Sequence, residues 1–391
     1  MDRACDCIVL GAGGVGASAA YHLARRGRRV LLLDQFTIPH DRGSSHGHSR
    51  IFRLAYDHPD YVHLARRALE LWRELEEVSG QTLLTLTGGL DLGPGEVPGL
   101  RAVERSLRGA GAEMELLDAG ELMRRFPQWR VPDDWRAVYS PDAGIVNPTQ
   151  TVERLVALAR SEGATVLEDT PALDLDLADP EAPVVHTTRG AFGCRRLIVA
   201  AGAWLPVLVP DLTPTLRVTL ETTAFFRARN LGAFQPSRFP VFIGHARPGE
   251  AEVYGFPAFG LPGVKIAEHM QGPATTARTR SFEVDGKTLA RLGAYLERHL
   301  PGAAGAVMQA TTCLYTTTPT EDFLLDTHDA VVPDGSPSVL LASPCSGHGF
   351  KFVPALGELM ADWVDGVPHP LHFGRFRAGR ALAQGRAISA G

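Results

Sequence analysis

Long apolar runs, plentiful cysteines and an excess of one charge are all missing from this sequence, and each shortage removes a class of protein. No stretch approaches the roughly 18 consecutive apolar residues that a bilayer-crossing helix needs, so no membrane span is expected. Met1 to Cys7 is polar and runs straight into an apolar strand, unlike a secretory signal, which leaves a cytoplasmic protein as the expectation. The five cysteines (Cys5, Cys7, Cys194, Cys313 and Cys345) are odd in number and scattered, which argues against a disulfide framework. Cys5-x-Cys7 has no second pair to complete a zinc site, so no metal is expected. A net charge of −5 gives no basic excess for nucleic acid. Internal repeats and low-complexity tracts are also lacking. What remains is ordinary globular composition, 45% hydrophobic and 21% charged, in a chain of 391 residues that is long enough for two or three domains' worth of fold.

The first motif is local. Cys7 to Leu10 reads as a short buried strand, Ala17 to Arg26 as a helix with small residues on its packing face, and Val30 to Leu33 as a second strand ending at Asp34. Gly11-x-Gly13-x-x-Gly16 joins the first strand to the helix. Gly11 permits the tight turn, Gly13 lets backbone N–H groups approach a pyrophosphate, and Gly16 lets helix and strand pack closely. The phosphates then sit at the positive helix N-terminus, and Asp34 stands where an acid accepts hydrogen bonds from ribose hydroxyls. The pattern indicates a dinucleotide, but the glycines alone do not separate FAD from NAD.

Further along, helices are expected over 61–78, with Leu64, Ala68, Leu71, Leu75 and Val78 on one face, and over 149–162, entered through Asn147-Pro148. After about residue 215 the pattern changes to alternating strands at 220–226, 241–243, 252–256 and 264–267, punctuated by Pro and Gly. A strand at 339–342 and a helix at 351–364 return to the first style. Dinucleotide-type elements thus occur at the start, middle and end, with β-rich stretches between them.

Four blocks carry a resemblance. They are Gly43-Ser44-Ser45-His46-Gly47-His48-Ser49-Arg50-Ile51-Phe52-Arg53, then Tyr254 to Pro257 with Lys265 to His269, then Cys313-Leu314-Tyr315-Thr316-Thr317-Thr318-Pro319, and Ser346-Gly347-His348-Gly349-Phe350-Lys351. In order and spacing the chain resembles the monomeric sarcosine oxidase and N-methyltryptophan oxidase family. The resemblance implies an α/β fold: an FAD-binding Rossmann-like domain of the glutathione-reductase type, interleaved with a β-sheet-rich α+β catalytic domain. The boundaries expected are 1–82, 145–215 and 316–391 for the FAD-binding domain, and 83–144 and 216–315 for the catalytic one.

The resemblance also implies roles. FAD is held by Gly11, Gly13, Gly16, Asp34, Ser44, Ser45, Arg50, Gly347, Gly349 and Lys351, and is tethered through its 8α-methyl to Cys313. Arg53 and Lys351 bind the substrate carboxylate, a planar fork and a point charge, with Tyr315 lining the same pocket. Lys265 activates oxygen, as a positive charge placed where negative charge develops. Arg50 lies close to the flavin ring, Tyr254 is an aromatic wall, His269 holds or deprotonates the amine, and His348 sits beside the flavin. The implied reaction oxidises a secondary amino acid to an imine, with O2 as acceptor and hydrogen peroxide as product, in a monomer. Cyclic imino acids such as pipecolate, glycated amino acids, an oxygen-poor dehydrogenase and a non-enzymatic flavin-binding regulator are the alternatives. Cys345 stands out as a second thiol.

Overall fold

The computed structural model describes residues 5–332, 335–368 and 374–382. The chain opens with strand β1 (Cys5–Leu10), helix α1 (Gly14–Arg25) and strand β2 (Val30–Leu33). A short strand β3 (Arg50–Phe52) and the long helix α2 (Pro59–Ser79) follow, then strand β4 (Gly89–Pro94). Helix α3 (Pro148–Ser161), strand β5 (Thr165–Leu167) and strand β6 (Gly190–Val199) come next. Four strands then run in succession, β7 (Arg217–Arg227), β8 (Val241–Gly244), β9 (Val253–Phe256) and β10 (Gly263–Glu268). Helix α4 (Gly286–His299), strands β11 (Val307–Thr317), β12 (Leu324–Thr327) and β13 (Val339–Ser343), and helix α5 (Val353–Asp365) complete it.

These elements form two large sheets. In the first, β5, β2, β1, β6 and β13 lie side by side in parallel, and β12 adds antiparallel to β13. A hairpin of Ala172–Asp176 and Val184–Thr187 pairs antiparallel with the first residues of β6, Gly190 to Gly193. Parallel strands need crossovers, and α1 supplies the one between β1 and β2. Its buried face is Gly14, Gly16, Ala17, Ser18, Ala19 and Ala20, small enough for α3 and α5 to approach closely. The second sheet runs β11-β7-β10-β9-β8-β4 and ends in Trp135–Ser140 and Glu115–Asp118. It is antiparallel except where β8 pairs with β4. A small third sheet joins β3 to Gly144–Val146 and Leu84–Leu86. Both eight-stranded sheets are therefore assembled from distant parts of the chain.

Local signals explain the helix ends. Asn147 caps α3 by accepting from the Gln150 N–H at 3.2 Å, with Pro148 at the first position, as expected from Asn-Pro. Helix α2 starts behind Pro59 and stops at Gly80 in the left-handed region, φ 63°. It buries Leu64, Ala68, Leu71 and Leu75 as expected, but Val78 is 49% exposed. The helix outruns the core by its final turn, so a periodic position there faces water. Strand β11 was not foreseen: its Gln309, Thr311, Thr312, Thr316 and Thr317 break an apolar pattern, and its pairing with β7 holds it. Among the described residues no helix is long and apolar enough to cross a membrane, no group of side chains is arranged to hold a metal, and the cysteines are free thiols.

Candidate active site

One cavity of about 880 Å³ reaches from the glycine turn to the cations Arg50, Arg53 and Lys351 of the sequence blocks. That is near the top of the range for ligand pockets, about 300–1,000 Å³. Gly13, Asp34, Cys313, Arg53, His269 and Lys351 all line it, although the sheets that carry them differ.

The glycine end is made of backbone. Gly11 has φ 103°, and a Cβ there would lie 2.5 Å from the Ala200 carbonyl oxygen. A Cβ on Gly16 would collide with the Gly11 carbonyl, so neither residue tolerates a side chain. Gly13 gives helix α1 no side-chain cap and its first turn holds no acid, so beyond the Gly14 N–H its positive end stays open at the cavity lined by Gly13, Gly14 and Val15. Ser45 Oγ accepts from the Gly14 N–H at 3.1 Å and holds the 43–53 loop against this turn. Asp34 accepts from the Ala12 N–H at 2.7 Å and the Phe36 N–H at 2.9 Å, and each oxygen keeps further acceptor capacity. Ser343 Oγ, on a cavity-lining residue, is buried without a protein partner. A helix start without a cap from Gly13, a side-chain-free turn, an acid beside it and an orphan hydroxyl fit a dinucleotide's pyrophosphate and ribose.

The 43–53 loop then carries charge towards the middle of the cavity. Arg50 donates to the Ser49 carbonyl at 2.8 Å and the Ser44 carbonyl at 2.9 Å, and Ser44 Oγ donates to the Leu314 carbonyl at 2.5 Å beside Cys313. Cys313 is buried on β11 and lines the cavity. Burial pushes its thiol up, while Arg50 and Lys265 pull it the other way. Cys345 lines the same cavity, its sulfur accepting from the Thr316 N–H at 3.4 Å. Lys265 is on β10 and is not among the lining residues. Its ammonium donates to Ser49 O at 3.0 Å and Ser49 Oγ at 3.3 Å and lies 4.9 Å from the centre of the Phe256 ring. Burial and then Arg50 hold it well below the usual lysine range.

The far end is made of side chains. Lys351 donates to Tyr56 OH at 2.8 Å and to the His348 carbonyl at 2.6 Å. Tyr56 OH is 3.0 Å from His348 Nδ1, and His348 Nε2 is 3.2 Å from the Glu321 carbonyl. The donors run one way: Lys351 gives to Tyr56, Tyr56 to Nδ1, and Nε2–H to Glu321, which fixes the neutral tautomer. Burial, reinforced by Arg53, lowers Lys351 well below its usual range. Arg53 donates to Asp91 at 2.8 Å, with its guanidinium 4.7 Å above the Tyr56 ring. His269 lies 5.8 Å from the Tyr315 ring and 6.5 Å from that of Tyr254, and the two tyrosine hydroxyls are 3.2 Å apart. Burial pushes His269 down to about 4, so its imidazole is neutral near pH 7. Gly347, at φ 76°, leaves room for the Tyr315 and His269 rings, and a Cβ on Gly349 would meet the Pro344 carbonyl.

Three cavity residues, Tyr56, His245 and Glu252, and Asp91 behind Arg53 had no role assigned from sequence. Tyr56 follows Arg53 by three positions in the same loop, and Asp91 is the charged residue inside an apolar strand, so both left a trace in sequence. His245 falls in the 241–245 stretch that the resemblance implies as pocket wall, without being diagnostic of substrate, and Glu252 left no trace. His245 Nε2 is 3.0 Å from Asp91 and its Nδ1 is 3.2 Å from Glu252. Burial opposes the charged ring, but the two acids outweigh it and raise His245 to about 9.

Residues 6–363 match the family described as FAD dependent oxidoreductase. The chain is 37% identical over 371 residues to a monomeric sarcosine oxidase of Streptomyces avermitilis, covering 93% of this chain and 94% of that one. It is 33% identical over 378 residues to an N-methyl-L-tryptophan oxidase of Salmonella heidelberg, covering 96% and 98%. The open form of NikD, an unusual amino acid oxidase essential for nikkomycin biosynthesis, superposes with a TM-score of 0.84 at 26% identity, over 95% of this chain and 97% of that one.

Proposed function

The chain belongs to the FAD dependent oxidoreductase family, and on that premise we propose that it is a sarcosine-oxidase-like amine oxidase. It oxidises the C–N bond of a secondary amino acid, N-methyl or cyclic, to an imine and passes the electrons to O2, releasing H2O2. The observation that carries this is the single cavity joining the glycine turn of α1 to Arg53, Lys351 and His269. Bound FAD supplies the two-electron acceptor. Gly11, Gly13, Gly16 and Asp34 hold its dinucleotide part, Arg50 and Ser44 shape the wall beside its ring, and Cys313 tethers it.

Arg53 and Lys351 receive the substrate carboxylate. Lys351 is buried on neutral partners and Arg53 shares Asp91 with His245, so both keep attraction for an incoming anion, which selects an amino acid over a plain amine. A secondary amine arrives protonated, and its lone pair must be freed before the C–N bond gives up electrons. Neutral His269, in a wall with Tyr254 and Tyr315, is too weak a base to take that proton, which goes to solvent as the substrate binds; it accepts a hydrogen bond from the amine N–H and holds it. Lys265 sits behind Ser49 and adds positive potential where O2 is reduced. The proposed form is a cytoplasmic monomer.

Sheet membership supports a discontinuous division, with 1–82, 145–215 and 316–391 holding the cofactor and 83–144 and 216–315 holding the substrate. Residues 1–4, 333–334, 369–373 and 383–391 of that division lie outside the described ones.

Acid precipitation of the purified yellow protein tests the tether. Flavin is expected in the pellet of the wild type and in the supernatant of Cys313→Ala; free flavin from the wild type would return Cys313 to a packing role. A panel of N-methyl and cyclic amino acids scored by peroxide then reads the substrate. Turnover with an artificial electron acceptor but no peroxide would favour a dehydrogenase instead.

A further inference from the structure

We propose that Asp91, His245 and Glu252 form a positioning unit that sets how strongly Arg53 grips the substrate carboxylate. It rests on the reading of Arg53 as a carboxylate holder. The unit spans both ends of the second sheet's pocket wall. Asp91 is on β4 and His245 follows β8, whose parallel pairing places the His245 N–H on the Leu92 carbonyl at 2.8 Å. Glu252 precedes β9, which pairs with β8. Asp91 Oδ1 is the shared atom: Arg53 Nη1 lies 2.8 Å from it and His245 Nε2 lies 3.0 Å from it. Glu252 meets the opposite ring nitrogen at 3.2 Å.

A neutral imidazole has one N–H and one lone pair, so one of these two carboxylates would face a lone pair. Only the imidazolium donates to both. Geometry therefore assigns the charge. With the ring charged, two cations (Arg53, His245) meet two anions (Asp91, Glu252), net zero. Asp91 is then shared, and Arg53 keeps attraction for an incoming anion. Loss of the ring proton leaves the group at net −1, removes one of the two cations that share Asp91 and weakens the pull on the carboxylate.

Asp91, Glu252 and, through Asp91, Arg53 are the charged groups that face His245; the surfaces of Gly93 and Gly99 that also pack on it bring none. The switch point follows the ring, near about 9. His245 touches neither cofactor nor substrate in this scheme, because both its nitrogens are occupied.

The test titrates the holoenzyme with 2-furoate, a flat carboxylate with no C–N bond to oxidise, read by the flavin absorbance between pH 7 and 10. In the wild type the Kd is expected to hold steady and then rise roughly tenfold across pH 9, the loss of about one charge's worth of attraction. His245→Gln keeps a donor but not the charge. It is expected to start roughly tenfold weaker at pH 7 and to show no rise across pH 9. Glu252→Gln, at a half-exposed position that the fold tolerates more easily, moves the rise to lower pH. In steady state the same changes fall on KM more than on kcat. A wild-type Kd profile in His245→Gln, or an unmoved rise in Glu252→Gln, overturns the proposal while leaving Arg53 in place. If Arg53→Met binds 2-furoate as the wild type does, the carboxylate reading itself fails and takes the proposal with it.

Discussion

The two ends of the cavity are built in opposite ways. At the glycine end, the stretch from Gly11 to Asp34 offers the cavity mostly backbone: a helix start without a cap from Gly13, a turn whose glycines abut carbonyls, one aspartate. At the other end, which we read as the substrate end, Arg53, Asp91, His245, His269 and Lys351 come from five separate segments, and hydrogen bonds tie Arg53 to Asp91, Asp91 to His245 and Lys351 to the His348 carbonyl. The first end resists change by sterics, the second by electrostatics. The first is set by collisions that a methyl group would bring; the second depends also on the protonation of His245.

The largest effect expected is at the glycine end. Gly16→Ala drives a methyl into the Gly11 carbonyl, backbone against backbone, and is expected to cost about 3 kcal/mol, the upper part of the overpacking range, with loss of FAD. Chemical denaturation and flavin content check it; a flavin-loaded variant of wild-type stability would show that the turn relaxes and would break the contrast.

At the substrate end, Lys351→Met fits the space but removes a charge that donates to Tyr56 and His348. It should keep FAD and lower kcat/KM on the order of 100-fold, the size of a lost charged hydrogen bond. Loss of flavin with no loss of turnover per bound flavin would move Lys351 to the cofactor's side of the comparison.

The smallest effect concerns stability against pH, where a helix of the glycine end supplies a control. His22 in α1 is buried, and burial lowers it to about 4. A folded-state value below the unfolded one means that the unfolded chain binds the extra proton as pH falls below about 6.5. His22 therefore costs the fold about 2 kcal/mol at pH 5. His22→Leu should flatten the fall in Tm between pH 6.5 and 4, the window set by those two values. His245 has the opposite sign: its stabilising share is complete below its unfolded value and is lost as pH rises through about 9. Identical Tm profiles for His22→Leu and wild type below pH 6 would remove burial as the cause.

Legibility follows the same divide. The β1–α1–β2 unit was readable because its strands are continuously apolar, its helix is small-residue-rich and its glycines stand at fixed offsets. Helices α2 and α3 were readable from period and caps. Strand β11 was not, because Thr and Gln alternate with apolar residues irregularly and only β7 holds it in register, from Arg217 opposite Thr317 onward. In the site, blocks of adjacent residues were visible, whereas the links from His245 to Asp91 and Glu252 were not until β4, β8 and β9 were aligned.

The sequence by itself determined a dinucleotide turn, because a tight turn and a helix start are decided by φ and by collisions between residues a few positions apart. It also determined which cations and thiols the chain possesses. Tertiary structure alone decided that Lys265 turns to Ser49, that Lys351, Tyr56 and His348 donate in one direction, and that one oxygen of Asp91 serves both Arg53 and His245. Charge and hydrogen bonding depend on distance in space, and strand register, not chain order, sets those distances.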